Sequence, residues 1–249
     1  MSITSEINYI KNIGNELESL PLVEIDRRIQ SIGAELTLRP VNHNPGIALI
    51  LLGKLFGLTL FLFTLPIILV CCLIVFLEDL SNPIFVQKRY GLNSKIINIF
   101  KIRTLYKSQS DKSGKIQVNA NDKRITKSGW ILRGLYFDEL PQFVNLIIGN
   151  LSIVGPRVQV PGQVAGNTAY ENYSNYYLLR HLVTPGLTGL AQCLGYSGPT
   201  NVKRDASARL YLDLTYVSKK SKSMDIAIII LTVVHLFSKF NVILFRKDE

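Results

Sequence analysis

The sequence predicts an α+β protein organised around one long membrane-inserted helix, with a small mixed domain carrying a β-hairpin and amphipathic helices toward both ends. Three observations carry that class. Ile47 to Leu77 is an apolar stretch interrupted by a single charge, Lys54. After Glu78, Asp79, Ser81, Asn82 and Pro83 the composition turns polar, and short strand-like runs alternate with turn residues. Apolar residues recur at helical spacing from Ile7 to Leu38, and a lysine-flanked apolar run lies near the C-terminus.

Charge and composition narrow the function classes. The 249 residues leave room for one domain plus attachments. Lys and Arg total 28 against 18 Asp and Glu, a net charge of +10, while the mean hydropathy stays positive at +0.22. Apolar and basic residues must therefore sit in separate segments. A basic surface beside a long apolar segment points to an anionic membrane face or a phosphorylated substrate. No nucleic-acid motif occurs, and the apolar segment argues against that partner. Cys71 and Cys72 lie inside the apolar run and Cys193 stands alone, so neither zinc spacing nor a disulfide framework is present. His43, His181 and His235 are scattered, which disfavours a histidine-based triad.

Residues 1–46 form one or two amphipathic helices. Ile7, Tyr9, Ile10, Ile13, Leu17 and Leu20 share helical spacing, and Leu22 to Leu38 repeats the pattern before Pro40, Asn42, Asn44 and Pro45 break it. The start lacks the marks of a signal peptide, and no chemistry is assigned to this segment. From Leu55 to Leu77 no charge occurs, about the roughly 20 apolar residues that a crossing takes. Two forms are open: a helix that spans, or one that enters, bends at Pro66 and returns. Pro66 removes a backbone hydrogen bond, so a kink is expected there, with Thr64 placed to bond a freed carbonyl. Arg27, Arg28, Arg39 and Lys54 precede the stretch and Lys88, Arg89 and Lys95 follow it, where a spanning helix should show a lopsided count.

Ile84–Lys88 and Ile96–Thr104 read as strands joined by a turn at Tyr90–Ser94. On the second, Lys101 and Arg103 are two apart and share a face, ordinarily a solvated one. Residues 106–128 read as a mobile polar loop, and Trp130–Leu135 leads into Asp138 and Glu139. These adjacent carboxylates follow Arg133 and precede an apolar run, Phe143–Ile148, that ends at Gly149. The plain reading is a short helix with Asp138 as N-cap, Glu139 and Pro141 in its first turn and Gly149 past its end. A chemical reading uses the same helix start, whose free N–H groups and positive dipole end favour phosphate. Asp138 is then a carboxylate nucleophile toward phosphorus and Glu139 a magnesium ligand.

Ser152–Arg157 reads as a short strand entering a Gly-Pro turn that presents Arg157, whose planar fork suits phosphate oxygens. Thr184–Gly189 reads as a tight-turn cluster. Ser223 or Asp225 caps a last helix running to about Phe240. It is short for a span and flanked by basic residues, which fits an interfacial helix; a buried core helix is the alternative.

Taken jointly, the blocks Pro83–Gly91, Lys101–Leu105, Asp122–Thr126, Asp138–Gln142, Ser152–Arg157, Thr184–Gln192 and Asp213–Tyr216 resemble those of the bacterial sugar transferases. These are monotopic polyprenyl-phosphate hexose-1-phosphate transferases, or phosphoglycosyl transferases, and the resemblance covers about Leu49 to Val233. It implies a re-entrant membrane helix bent at Pro66 and a catalytic domain facing the cytoplasm from the bacterial cytoplasmic (inner) membrane. It implies Asp138 as nucleophile and Glu139 as the carboxylate that binds Mg²⁺. Lys101, Arg103, Arg133, Gln142 and Arg157 become substrate-binding residues by the same carry-over. Leu65 stands where the family usually has Ser before the bending proline, and Gly53 or Gly57 where an acidic residue is usual. Asn150 replaces an Asp, and Leu194-Gly195-Tyr196 replaces Asn-Gly-Arg; the first two departures bear on the bend, the last two on sugar specificity.

The expected activity is transfer of a sugar 1-phosphate from a nucleoside-diphosphate sugar, first of all a UDP-sugar, to polyprenyl phosphate. It runs through an aspartyl-phosphosugar and releases UMP, as the first membrane step of exopolysaccharide, O-antigen or capsule-type glycan assembly. The expected partners are these two substrates, the bacterial membrane and a second copy of the chain. Rival classes are a non-catalytic membrane scaffold of a glycan assembly complex and a glycosyltransferase that moves the sugar without its phosphate. The expected division is an N-terminal extension (1–46), the membrane helix (47–82), the catalytic domain (83–222) and an interfacial helix with its tail (223–249).

Overall fold

The computed structural model describes residues 2–39, 47–109, 117–119, 121–165, 168–200 and 202–245. The break expected at Pro40–Pro45 and residues 110–116 and 120 of the expected loop lie outside the described residues. The elements begin with α1 (Ile3–Ser19), α2 (Leu22–Leu38), the long α3 (Ile47–Asp79), β1 (Ile84–Tyr90), β2 (Ile96–Ile102) and α4 (Lys127–Gly134). They continue with α5 (Phe143–Ile148), β3 (Ser152–Val154), β4 (Val164–Ala165), β5 (Thr168–Ala169), β6 (Gly186–Thr188), α6 (Leu190–Cys193), α7 (Lys203–Lys219) and α8 (Lys222–Phe245).

α1 starts where Ser2 Oγ accepts from the Ser5 N–H at 3.2 Å, and it buries Ile10, Ile13 and Leu17. α2 buries Ile25, Ile29 and Leu36. The helical spacing of the N-terminal segment thus gives two helices. They pack into one core with α7 and α8. Arg204 of α7 completes the end of α1 by donating to the carbonyls of Leu17 at 2.9 Å and Glu18 at 2.8 Å. α7 is buried continuously from Ala206 to Val217 and forms the axis of this core.

α3 is the one helix among the described residues long and apolar enough to cross a membrane. Phe63, Leu69, Val70, Leu73 and Leu77 are exposed along it, while Ile68, Cys71 and Val75 are buried. Cys71 and Val75 pack on Ile102 and Leu132. Thr64 Oγ1 donates to the Leu60 carbonyl at 2.7 Å. That is not the carbonyl left over by Pro66, which is four residues back at Leu62, so the expected pairing is corrected: Thr64 back-bonds within its own turn.

β1 and β2 pair antiparallel, with Ile84 opposite Ile102 and Tyr90 opposite Ile96. The strand ends at Ile102, earlier than expected, so Arg103 lies beyond it. β3 pairs parallel with β6. The Thr184–Gly189 stretch, expected as turns, is therefore a strand feeding a short helix. Its glycines permit backbone contact: a Cβ on Gly155 would stand 2.3 Å from the Thr184 carbonyl oxygen.

α8 runs 24 residues rather than about fifteen. Its first turn is capped by Ser221 Oγ, which accepts from the Met224 N–H at 3.1 Å, and not by Ser223 or Asp225. Ser223 instead donates to Glu6 at 3.1 Å, and Asp225 accepts from the Tyr216 hydroxyl at 2.7 Å. Met224, Ala227 and Ile228 are core residues, whereas Val233, Val234 and Phe237 are exposed. The buried-helix reading holds for the first half, and an outward apolar face remains beyond it.

Candidate active site

Two carboxylates at the end of α3 set the site. Glu78 accepts from the backbone N–H groups of Lys127 at 2.7 Å and Ser128 at 3.2 Å, and from the Ser128 hydroxyl. A negative charge thereby satisfies the first turn of α4. Thr126 supplies the ordinary N-cap, accepting from the Gly129 N–H at 2.9 Å. Gly129 lies flush on the end of the hairpin, where a Cβ would meet the Thr104 carbonyl oxygen at 2.4 Å. Asp79 grips Arg103 through two bonds of 2.5 and 2.6 Å.

From α4 the chain turns through Tyr136, whose φ is 58°, into a 3₁₀ turn over Phe137–Gln142. This corrects the expected helix start. Asp138 is not an N-cap, and α5 begins only at Phe143. The helix-dipole argument for phosphate binding at Asp138 falls with it. The expected end holds: Gly149 closes α5 with φ 93°. Asn145 fastens α5 to β2, accepting from the Phe100 N–H at 3.2 Å and donating to the Asn98 carbonyl at 2.7 Å.

This scaffold brings Asp138, Glu139, Lys101, Arg133 and Arg157 to one cavity of about 410 Å³. Lys101 Nζ and Arg157 Nη2 both donate to Oε1 of Glu139, at 2.7 and 2.8 Å. The Asp138 side chain is 7% exposed and accepts no hydrogen bond from the described residues. Arg133 touches Thr104 Oγ1 at a long 3.3 Å. Arg157 is itself steadied from behind, because Arg180 Nη2 donates to its carbonyl at 3.1 Å while forming a buried ion pair with Asp213.

The two carboxylates ionise differently. Burial raises Asp138 to about 6; Lys101 opposes this and the charge of Glu139 adds to it. Burial also pushes Glu139 upward, but Arg157 and Lys101 outweigh it and hold that carboxyl well below the ordinary range. Lys101 is lowered by burial, against the pull of Glu139. Arg89 is lowered to about 10 by burial and by the repulsion of Arg157.

The structure places the other expected site residues differently. Arg103 lines the cavity, yet its guanidinium is committed to Asp79 and to the carbonyls of Asn82 and Leu105, at 2.8 and 3.0 Å. Gln142 is buried and does not line the cavity. Pro66 sits inside α3 and does not line the cavity. Conversely, Arg89, Arg124, Arg209, Gln159 and Gln163 line the cavity without having been singled out. For Arg89 a signal existed: Phe85, Gln87 and Arg89 alternate along β1 and so share a face. The glutamines carried none.

Among the described residues no cluster of three metal-ligating side chains occurs. Both cations bond Oε1 of Glu139, and Oε2 accepts no hydrogen bond from the described residues. That hard oxygen beside a second carboxylate suits Mg²⁺, which binds through one or two carboxylates, waters and substrate phosphates.

Among the described residues, seven cationic side chains (Arg89, Lys101, Arg103, Arg124, Arg133, Arg157 and Arg209) line the cavity with Asp138 and Glu139, and Arg103 and Arg124 are themselves paired with Asp79 and Asp122. Positive charge of this kind can neutralise phosphate oxygens. The chain matches the family model described as bacterial sugar transferase over residues 46–239, and it belongs to that family. It is 43% identical over 169 residues to the exopolysaccharide production protein PSS of Rhizobium leguminosarum bv. phaseoli, covering 68% of this chain and 84% of that one. It is 42% identical over 167 residues to the UDP-glucose:undecaprenyl-phosphate glucose-1-phosphate transferase of Escherichia coli (strain K12), covering 66% of this chain but 35% of that one. An enzyme of the same name from Caulobacter vibrioides is 34% identical over 211 residues, 83% of this chain and 77% of its own.

Proposed function

We propose that this chain is a membrane enzyme that transfers a sugar 1-phosphate from a UDP-sugar to polyprenyl phosphate, opening exopolysaccharide-type glycan assembly. The observation that carries the proposal is the uneven carboxylate pair: Glu139 fixed and ionised between two cations, Asp138 buried beside it and not hydrogen-bonded to any described residue. The activities named for its relatives support the same chemistry.

In the proposed route an Asp138 carboxylate oxygen attacks the β-phosphorus of the donor. The bond from that phosphorus to the bridging oxygen breaks, and UMP leaves with the electron pair. The sugar phosphate stays on Asp138 as an acyl phosphate. An oxygen of polyprenyl phosphate then attacks the same phosphorus and frees the aspartate. A carboxyl at about 6 is mostly ionised at neutral pH and is a stronger nucleophile than an ordinary aspartate. Lys101, Arg133 and Arg157 neutralise the phosphate oxygens, and Glu139 holds two of these cations in place. Mg²⁺ held by Glu139 would supply further neutralisation of the diphosphate.

Incubating the enzyme with sugar-labelled donor, without lipid, should yield labelled protein and one equivalent of UMP, both absent in Asp138→Asn. Release of UMP only after lipid is added, with no trapped label, would replace this route by direct displacement. UDP as product would assign a glycosyltransferase, and no nucleotide product a scaffold.

The membrane arrangement belongs to the same proposal: α3 is re-entrant at Pro66, and the site faces the cytoplasm. Basic residues on both flanks and Pro66 at the centre of the stretch support it. Single cysteines at Asn44 and Asn82, in a background lacking the native three, test it with an impermeant thiol reagent on intact cells. Labelling of the Asn44 site alone would establish a span.

A further inference from the structure

Four glutamines line the cavity, and they fall into two pairs. Gln87 and Gln117 are occupied. Gln87 accepts from Arg89 Nε at 3.0 Å. Gln117 donates to the Val164 carbonyl at 2.6 Å and to Thr200 Oγ1 at 2.9 Å, and accepts from the Thr200 N–H at 2.8 Å. Gln159 and Gln163 are 2% and 7% exposed, yet neither side-chain amide has a hydrogen-bond partner among the described residues. Buried amides are normally paired. An unpaired one on a cavity wall is completed by whatever enters.

Both amides are also held in place through their backbones. The Gln159 carbonyl accepts from the Tyr90 N–H at 2.9 Å, and the Gln163 carbonyl from the Tyr170 N–H at 2.9 Å. Arg89 Nη1 bonds the Val158 carbonyl between Arg157 and Gln159 at 2.9 Å. Along this one segment the wall changes from the guanidinium of Arg157, which grips Glu139, to neutral amides. Each amide offers one acceptor oxygen and two donor hydrogens. That set adds no charge for a phosphate and matches groups that both donate and accept.

We infer that Gln159 and Gln163 are specificity-determining residues that hydrogen-bond the uncharged polar part of the donor, its sugar hydroxyls or the imide edge of its base. The inference rests on the proposed function for the identity of the donor. A site that hydrogen-bonds such groups discriminates far more sharply than an apolar one, because a mismatched ligand leaves buried polar atoms unpaired.

Gln159→Met and Gln163→Met keep the volume and remove the polar atoms. With full-length protein, kcat/KM for UDP-glucose and inhibition by UMP are measured, with equilibrium binding of both ligands and thermal unfolding alongside. At least one variant should lose about tenfold or more in kcat/KM and in UDP-glucose binding while its Tm holds. Weakened UMP binding in parallel assigns the amide to the base. Unchanged UMP binding, with altered preference among epimeric UDP-sugars, assigns it to the sugar. Gln163→Met, at the less buried position, keeps the test valid if Gln159→Met does not fold. Unchanged binding and turnover of both ligands in a folded Gln163→Met, with Gln159→Met also unchanged or unfolded, overturns the inference. A wild type that binds UDP-glucose but never releases UMP refutes the proposed function instead, and the binding comparison still reads the amides.

Discussion

If Asp138 attacks as a carboxylate, kcat/KM must fall on the acid side with its ionisation. With a value of about 6, roughly nine-tenths of the group is ionised at pH 7 and roughly one-tenth at pH 5, so activity should drop about tenfold. An aspartate at the ordinary value of about 3.9 would lose less than about a tenth over the same interval. The neighbouring charges also predict which way the limb moves. Lys101 is the strongest charge pulling Asp138 down, so Lys101→Met should shift the acid limb to higher pH. Glu139 pushes Asp138 up, so Glu139→Gln should shift it to lower pH. For a unit charge about 5–8 Å away at an effective dielectric near 20, each displacement is about 1.5–2.5 pH units. Both variants will be slow, so the limb is read from normalised profiles of UMP release between pH 4.5 and 8. A wild-type profile flat to pH 5, or two variants displaced in the same direction, would refute the assignment.

The same shift has a consequence for stability: a carboxyl raised in the folded state contributes stability below its unfolded value that is lost as pH rises through about 6. Asp138→Asn should therefore stabilise the fold at pH 7.5 by on the order of 1–3 kcal/mol, read as a higher Tm, with the gain gone by about pH 4. Arg103→Ala leaves Asp79 without its guanidinium partner and should cost about 3–5 kcal/mol in thermal unfolding, well beyond an exposed ion pair. Gly155→Ala forces a Cβ to 2.3 Å from the Thr184 oxygen and should lower stability by more than about 3 kcal/mol, or prevent folding. Thr126→Ala removes the N-cap of α4 and should cost only about 1 kcal/mol.

Much of this arrangement was legible from periodicity and turn chemistry. The turn between the two strands was read at Tyr90–Ser94, where Asn93 adopts φ 52°, and the end of α5 from Gly149. The family resemblance, more than the residue pattern, pointed to Lys101, Arg133 and Arg157, which line the cavity with the dyad. What could not be read was the competition for each cation. Arg103 and Lys101 look alike as strand residues two apart, yet one is drawn to Asp79 and the other to Glu139. That choice depends on where α3 ends relative to the hairpin, a tertiary fact. The start of the dyad turn was misplaced for a related reason. Asp138 has the chemistry of an N-cap, but Tyr136 in a left-handed conformation begins the turn two residues earlier. Gln159 and Gln163 lie in a segment without periodicity, so only their burial beside the cavity separates them from solvent-exposed amides.

The end of α3 connects these observations. Glu78 opens α4, and α4 leads within a few residues to Asp138. Asp79 holds Arg103, two residues past Lys101, which grips Glu139. Both approaches to the dyad, through α4 and through β2, therefore hang from adjacent carboxylates at one end of the apolar helix. Charged hydrogen bonds tolerate little displacement, so these two junctions carry the position of α3 directly to the dyad. On the proposed reading this meets a geometric demand of the reaction. The lipid acceptor presents its phosphate at a depth fixed by the bilayer, whereas the nucleotide sugar arrives from water at any height. An attacking carboxylate that serves both in turn must be held at the level of the acceptor, and an apolar helix coupled to the dyad by Glu78 and Asp79 does that without a moving part.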